Sequence, residues 1–337
     1  MNPFSYVRTY QAAEAVREGI GQGAKFIAGG TNLLDLMKES VERPEKLVDI
    51  NRLPFNRIEE TEAGGLRIGA LVRNSDAASD ERVARRWPLV SSALLAGASA
   101  QLRNAATIGG NLLQRTRCCY FYDTATACNK RAPGSGCGAV GGVNRMHAIL
   151  GASDHCIATH PSDLCVALAA LDADVQVTGP AGDRVIAFAD FHRLPGDTPQ
   201  IETNLGPGEL ITAVELPAQD FARHYTYLKL RDRLSYAFAL VSVAAALRIA
   251  DGRITEARIA LGGVAHKPWR NRKAEQLLLG ETSAEETLTR AAEALLRDAK
   301  GQGHNDFKIE LARRAIVRAL KQAAAATPQS QVDKRVA

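Results

Sequence analysis

The chain has 337 residues, with 42 basic and 37 acidic side chains, a net charge of +5, and 46% hydrophobic and 23% charged residues. That is the make-up of a globular protein long enough for two or three domains, each with its own core. The small basic excess is spread along the chain, which argues against nucleic-acid binding. No apolar run reaches the eighteen residues of a membrane span, and the N-terminus lacks the apolar core of a secretory signal.

Residues 11–20 read as a short amphipathic helix, and Lys25-Phe26-Ile27-Ala28 as a short strand. Gly29-Gly30-Thr31-Asn32 then turns into a helically spaced run, Leu33 to Lys38. A strand ending in two glycines before a helix lets backbone N–H groups close on an anion, although a plain strand–turn–helix corner looks the same. It is neither the dinucleotide G-x-G-x-x-G nor a Walker loop. Leu47–Ile50 and Leu66–Leu71 read as strands, residues 88–98 as a helix, and Thr107-Ile108-Gly109-Gly110-Asn111 as a second double-glycine turn. Two such turns suit a dinucleotide held between subdomains.

A cysteine-rich insert follows, from about 114 to 157. Four of the six cysteines, Cys118, Cys128, Cys137 and Cys156, lie here with spacing C-x9-C-x8-C-x18-C, and Cys119 adjoins the first. Tight C-x2-4-C zinc pairs are absent, and ferredoxin runs are closer than this. Spacing leaves iron–sulfur, disulfide, zinc and free-thiol readings open. Arg103, Arg115, Arg117, Lys130, Arg131 and Arg145 flank the cysteines; their field would offset a thiolate cluster, or they form a solvated docking surface. Cys165 reads as a buried apolar thiol in a helix over 161–171 that begins at Pro161. His147, His155 and His160 are left out as ligands.

Strands are expected at Ala173–Thr178 and Glu209–Leu216. After Pro217 come long antiparallel strands, Tyr225–Arg231, Tyr236–Ile249 and Ile254–Val264, then two or three helices between Pro268 and about Ala325. The last dozen residues are polar and read as frayed. By themselves Asp163 and Lys229 would pass for a helix first-turn acid and an exposed strand lysine. No H-E-x-x-H or G-x-S-x-G motif marks a hydrolytic site.

Taken together, these segments resemble the FAD-binding subunits of the xanthine dehydrogenase family of molybdenum hydroxylases. Lys25 to Leu33 resembles the family's first flavin loop, and Thr107 to Asn111 its T/S-x-G-G-N second loop. His160-Pro161-Ser162-Asp163 resembles its P-x-S-D turn. Glu209-Leu210-Ile211, Leu228-Lys229-Leu230-Arg231 and Leu261-Gly262-Gly263-Val264-Ala265 extend the likeness over residues 3–323 in order. The insert is similar to that of the periplasmic aldehyde oxidoreductases in this family, whose flavoprotein subunit carries a [4Fe–4S] cluster; Cys119 stands where proline is expected and is taken as a spectator.

The resemblance implies an α+β fold. A two-subdomain α/β FAD-binding domain of vanillyl-alcohol-oxidase/PCMH type would span 1–218 (subdomains about 1–55 and 56–218). A C-terminal domain of antiparallel sheet plus helices would span 219–325, with a flexible tail over 326–337. It implies FAD contacts from Lys25, Phe26, Ile27, Ala28, Gly29, Gly30, Thr31, Asn32 and Leu33, from Thr107, Gly110 and Asn111, and from Asp163, Ile211 and Lys229. Cys118, Cys128, Cys137 and Cys156 would be the cluster ligands.

It further implies an electron-transfer role in a heterotrimeric molybdenum aldehyde oxidoreductase, with no catalytic acid or base in this chain. A large molybdopterin-binding subunit and a small [2Fe–2S] subunit would be its partners. The external acceptor would be a carrier protein or a quinone-like molecule. The expected location is the periplasm, reached on a partner's signal, with the cytoplasm as the alternative. Two rival readings stand beside it: the flavin subunit of a related hydroxylase or reductase acting on an aromatic thioester or heterocycle, and an iron–sulfur scaffold without flavin.

Overall fold

The computed structural model describes residues 1–331 and Asp333. Three sheets organise the described residues. Ser5–Arg8, Lys46–Asp49 and Ala24–Ile27 form a small parallel sheet with Lys46–Asp49 in the middle. A five-stranded antiparallel sheet follows in the order Ile58–Glu60, Leu66–Gly69, Leu210–Leu216, Asp174–Gly179, Gly182–Ala187. The third, also antiparallel, runs Trp269–Arg270, Arg253–Gly262, Val241–Ala250, Tyr225–Leu230. The mixed helix-and-sheet fold is the one expected.

The alanines of Val241–Ala250 have a packing reason. Ala244 and Ala246 face the core shared with helices Pro88–Ala96 and Asp163–Ala170, while Val243, Ala245 and Leu247 face helix Phe307–Ala324. A strand covered by helices on both sides loses the inside–outside alternation, and small side chains let both layers approach. The N-terminal part of the chain and the C-terminal sheet therefore share one continuous core.

Several local expectations change. The second strand of the C-terminal sheet starts at Val241 rather than Tyr236, and Tyr236 has a left-handed backbone (φ 50°). Thr107 to Asn111 is the start of a one-turn helix, Ile108–Leu112, with the Thr107 hydroxyl accepting from Gly110 N–H. Short helices at Asn74–Ser79, Glu81–Arg86 and Ala100–Ala105, and the strand Gly182–Ala187, escaped the pattern reading. Residues 327–331 are tied down rather than frayed: the Gln329 N–H donates to Thr226 Oγ1 and the Gln331 amide to the Tyr227 carbonyl. The rest of the expected tail, Val332 and 334–337, lies outside the described residues. No helix among the described residues is long and apolar enough to cross a membrane.

Candidate functional site

The two double-glycine segments meet. Strand Ala24–Ile27 delivers Gly29 against the carbonyl of Ala105, so closely that a Cβ at 29 would lie 1.9 Å from that oxygen. Gly30 has φ +72°, a conformation that costs an L side chain energy. Helix Leu33–Lys38 leaves this turn, and the Thr107 turn forms the facing wall.

Between these walls lies a cavity of about 700 Å³. Lys25, Phe26, Ile27, Ala28, Gly29, Gly30, Thr31, Asn32, Leu33, Thr107 and Gly110 all line it. A second cavity of about 610 Å³ shares Thr31, Asn32 and Ala106 with the first and adds Asn111, Asp163 and Lys229. A third, about 210 Å³, shares Asp163, Met146 and Phe238 with the second and reaches Cys118. The result is one long branched cleft between the subdomains and the C-terminal sheet. Ile211 lines none of the three: it is buried in the core and pairs with Val177 in the five-stranded sheet.

Asp163 and Lys229 form a buried pair, not the separate surface residues that their sequence context suggests. Lys229 Nζ donates to Asp163 Oδ2 at 2.7 Å and to the Ala96 carbonyl at 3.2 Å, with 3% of its side chain exposed. Two of its three ammonium protons are thus committed and one remains. Tyr227 donates its hydroxyl proton to Asp163 Oδ1 at 2.7 Å and accepts from Ser242 at 3.0 Å. Burial, and then the Asp163 charge, push the Tyr227 phenol well above its ordinary range, so it stays a donor. Ser162 caps helix Asp163–Ala170 by accepting from Cys165 N–H, and donates to Asn111 Oδ1 at 2.6 Å. The second glycine turn and the Pro-Ser-Asp turn are locked together by that one hydroxyl.

The cysteine-rich segment closes on a further small cavity lined by Cys118, Cys128, Cys137 and Cys156, which meets the third cavity at Thr116, Cys118 and His147. Cys128 and Cys137 lie opposite each other in an isolated β-bridge. All six thiols are free, and Cys119 is exposed and absent from this cavity. Burial pushes the Cys118 thiol up to about 12 and raises that of Cys156, which favours the protonated thiol at both. Of the histidines set aside, His147 and His155 line the cavity, and His147 Nε2 is 3.1 Å from Cys118 Sγ. Cys165 is a buried thiol in the helix, as read.

Buried polar links fasten this segment to the rest. Lys130 Nζ donates to Glu202 and His266 and to the Pro199 carbonyl, and Arg115 joins Glu202 to Glu42. Lys308 donates to the carbonyls of His147 and Gly263, and Asn305 to those of His147 and Ala148. Sequence reading missed Tyr227, Glu202, His192, His266 and Lys308, because none belongs to a local pattern.

Burial alone would raise the Glu202 carboxyl, but Lys130 and Arg115 hold it down at about 2. Burial lowers His192 and His266 to about 4, in the second case with help from Lys130. Both shifts act in the same direction on stability. An unfolded chain protonates its histidines near 6.5 and Glu202 near 4.5, before the folded one does. The thermal midpoint is therefore expected to fall as pH drops below 6.5, through the two histidines down to about 4 and, less steeply, through Glu202 alone from there to about 2. A pH series of melting curves checks this, and Glu202→Gln should flatten its lower part.

An extended dinucleotide fits the main cleft: glycine turns against a helix start, an ammonium with a spare donor, and buried Asn74 Oδ1 and Arg117 Nε without partners on its lining residues. Four converging free thiols fit a thiolate-bound metal centre in the smaller cavity.

Two family models match the chain in succession. The FAD binding domain in molybdopterin dehydrogenase covers residues 2–219, and the CO dehydrogenase flavoprotein C-terminal domain covers 224–323. The chain is 55% identical to the aldehyde oxidoreductase FAD-binding subunit PaoB of Escherichia coli (strain K12), over 96% of this chain and 99% of that one. It is 29% identical to the glyceraldehyde dehydrogenase medium chain of Sulfolobus acidocaldarius, over 82% of each. Among solved structures, CO dehydrogenase from Oligotropha carboxidovorans superimposes with a TM-score of 0.75 at 25% identity, covering 97% of this chain and 100% of that one. Quinoline 2-oxidoreductase from Pseudomonas putida 86 gives 0.74 at 26%, covering 97% and 98%. With matching models over both halves and relatives along its full length, the chain belongs to the FAD-binding subunits of the xanthine dehydrogenase family of molybdenum hydroxylases.

Proposed function

We propose that this chain is the FAD- and [4Fe–4S]-containing electron-transfer subunit of a heterotrimeric molybdenum aldehyde oxidoreductase. A large molybdopterin-binding partner oxidises the aldehyde to a carboxylic acid, and a small partner relays electrons through [2Fe–2S] clusters. The single observation that carries the reading is the continuous cleft. It joins the two glycine turns to the buried Asp163–Lys229 pair, and its inner branch ends at Cys118. The aldehyde part rests on the similarity to the aldehyde oxidoreductase subunit.

Bound FAD would take up electrons delivered one at a time and pass them to an external acceptor, a carrier protein or quinone-like molecule. The chain's own residues bind and orient. The Lys25–Leu33 and Thr107–Asn111 segments form the walls for the diphosphate, Lys229 supplies a fixed positive donor, and Asp163 with Tyr227 holds that donor in place. Cys118, Cys128, Cys137 and Cys156 would ligate the cluster, which the convergence of these four thiols on one small cavity supports. The proposed location is the periplasm, entered as a folded complex, and cell fractionation tests it.

The decisive experiment is flavin and iron analysis of the co-expressed complex. Wild type should release FAD on acid extraction and contain iron in this subunit. Cys118→Ser should lose that iron while the partner's [2Fe–2S] signals persist. A colourless subunit, or an iron content that Cys118→Ser leaves unchanged, overturns the assignment. An aldehyde panel against aromatic thioesters and heterocycles separates the substrate classes.

A further inference from the structure

Arg117 belongs to the cysteine-rich segment, yet its side chain lies on the flavin cleft. It lines both the 610 Å³ and the 210 Å³ cavities, alongside Asp163 and Phe238. Its guanidinium donates to Asn32 Oδ1 in the first glycine turn and to the Tyr122 hydroxyl. The ring of Phe238, from the C-terminal domain, lies 5.1 Å from it. Three parts of the molecule thus hold one cation where they meet, with a quarter of its side chain exposed.

The charge is weakly compensated. Asp35 is the acid it reaches, at 3.4 Å, and that side chain is half exposed. Lys229, by contrast, is matched by Asp163 at 2.7 Å inside the protein. Arg117 Nε is buried and has no partner. A buried N–H without an acceptor is costly unless something else fills the role.

We propose that Arg117 is a redox-tuning residue for the flavin, a positive charge delivered into the cleft by the cysteine-rich segment. The proposal rests on the flavin reading above. Uptake of two electrons and one proton leaves the bound group one unit more negative than before. A cation held in a partly water-excluded cleft stabilises the more negative form and so favours reduction. Arginine suits the position because the two ends of its planar fork reach Asn32 and Tyr122 together in a fixed geometry.

The test is a spectroelectrochemical titration of the flavin in the purified complex, with flavin and iron counted in each variant. Arg117→Gln should shift the oxidised-to-reduced ratio about tenfold toward oxidised at a given potential, about 30 mV lower for a two-electron couple. Arg117→Lys should recover most of that shift. Asp35→Asn removes the opposing charge at an exposed position and should move the equilibrium the other way. It decides the matter if Arg117→Gln fails to retain flavin. A full flavin content with unshifted potentials in Arg117→Gln and Asp35→Asn overturns this proposal alone. A wild-type complex that holds no flavin overturns the underlying reading and this proposal together.

Discussion

Asp163→Ala is expected to empty the complex of flavin and to destabilise this subunit by about 3–5 kcal/mol, the range for removing one partner of a buried ion pair. The substitution leaves the Lys229 ammonium, 3% exposed, with only the Ala96 carbonyl, and takes away the acceptor of the Tyr227 hydroxyl. It also unties the start of helix Asp163–Ala170 from Tyr227 and Lys229, one residue from Ser162, which holds Asn111 of the second glycine turn. Loss of charge, of two hydrogen bonds and of loop position should all appear at once. Urea unfolding and extracted flavin measure them. Asp163→Asn, which keeps an oxygen for Lys229, should fall between. The double change with Lys229→Met should regain stability without regaining flavin, because the stranded charge is gone but the donor is gone too. Wild-type stability in Asp163→Ala would show that the pair contributes little.

Gly29→Ala should have an effect of similar size by a different route. Its methyl group would need the space of the Ala105 carbonyl, 1.9 Å from the oxygen and 2.7 Å from the carbon. Both are backbone atoms, so no side-chain rotation relieves the overlap, and the two walls of the cleft must separate. We expect flavin affinity to fall at least a hundredfold, about 2.7 kcal/mol. Gly110→Ala is the control: its added carbon would meet only the Thr107 hydroxyl, at 3.1 Å, and affinity should fall far less. Flavin titration of the apo-complex measures both. Equal losses in the two variants would mean that wall separation is not what the first glycine prevents.

The glycine turns were legible because they are local: a strand, two glycines and a helix start fall within nine residues, and the same device recurs at Thr107. The four cysteines were legible as a group, but spacing could not say that they share one cavity. The long strands and the helix over Pro88–Ala96 followed from apolar runs. What pattern could not reveal is what distant segments build together. The cleft takes Asn32, Arg117, Asp163, Lys229 and Phe238 from five separated places. Arg117 in particular read as one of six cations around the cysteines, and only the fold turns it toward Asn32. One-turn helices such as Ile108–Leu112 are too short for a 3.6-residue period to register. Tyr236 was counted as strand because its neighbours are apolar, yet the segment turns there with a left-handed backbone before Val241 begins the ladder.

The Lys308 ammonium, bonded to the carbonyls of His147 and Gly263, has a consequence for the order in which the molecule is completed. It stands 161 residues beyond His147, and Asn305 reaches back almost as far. A chain grows from its N-terminus, so all six cysteines are synthesised long before this latch exists. The thiol pocket, lined wholly by residues 116–158, is therefore synthesised well before the residues that fasten the His147 backbone to the C-terminal domain. A chain that ends short of Asn305 would lack every one of these bonds to the His147, Ala148 and Gly263 carbonyls and leave that stretch of backbone unfastened.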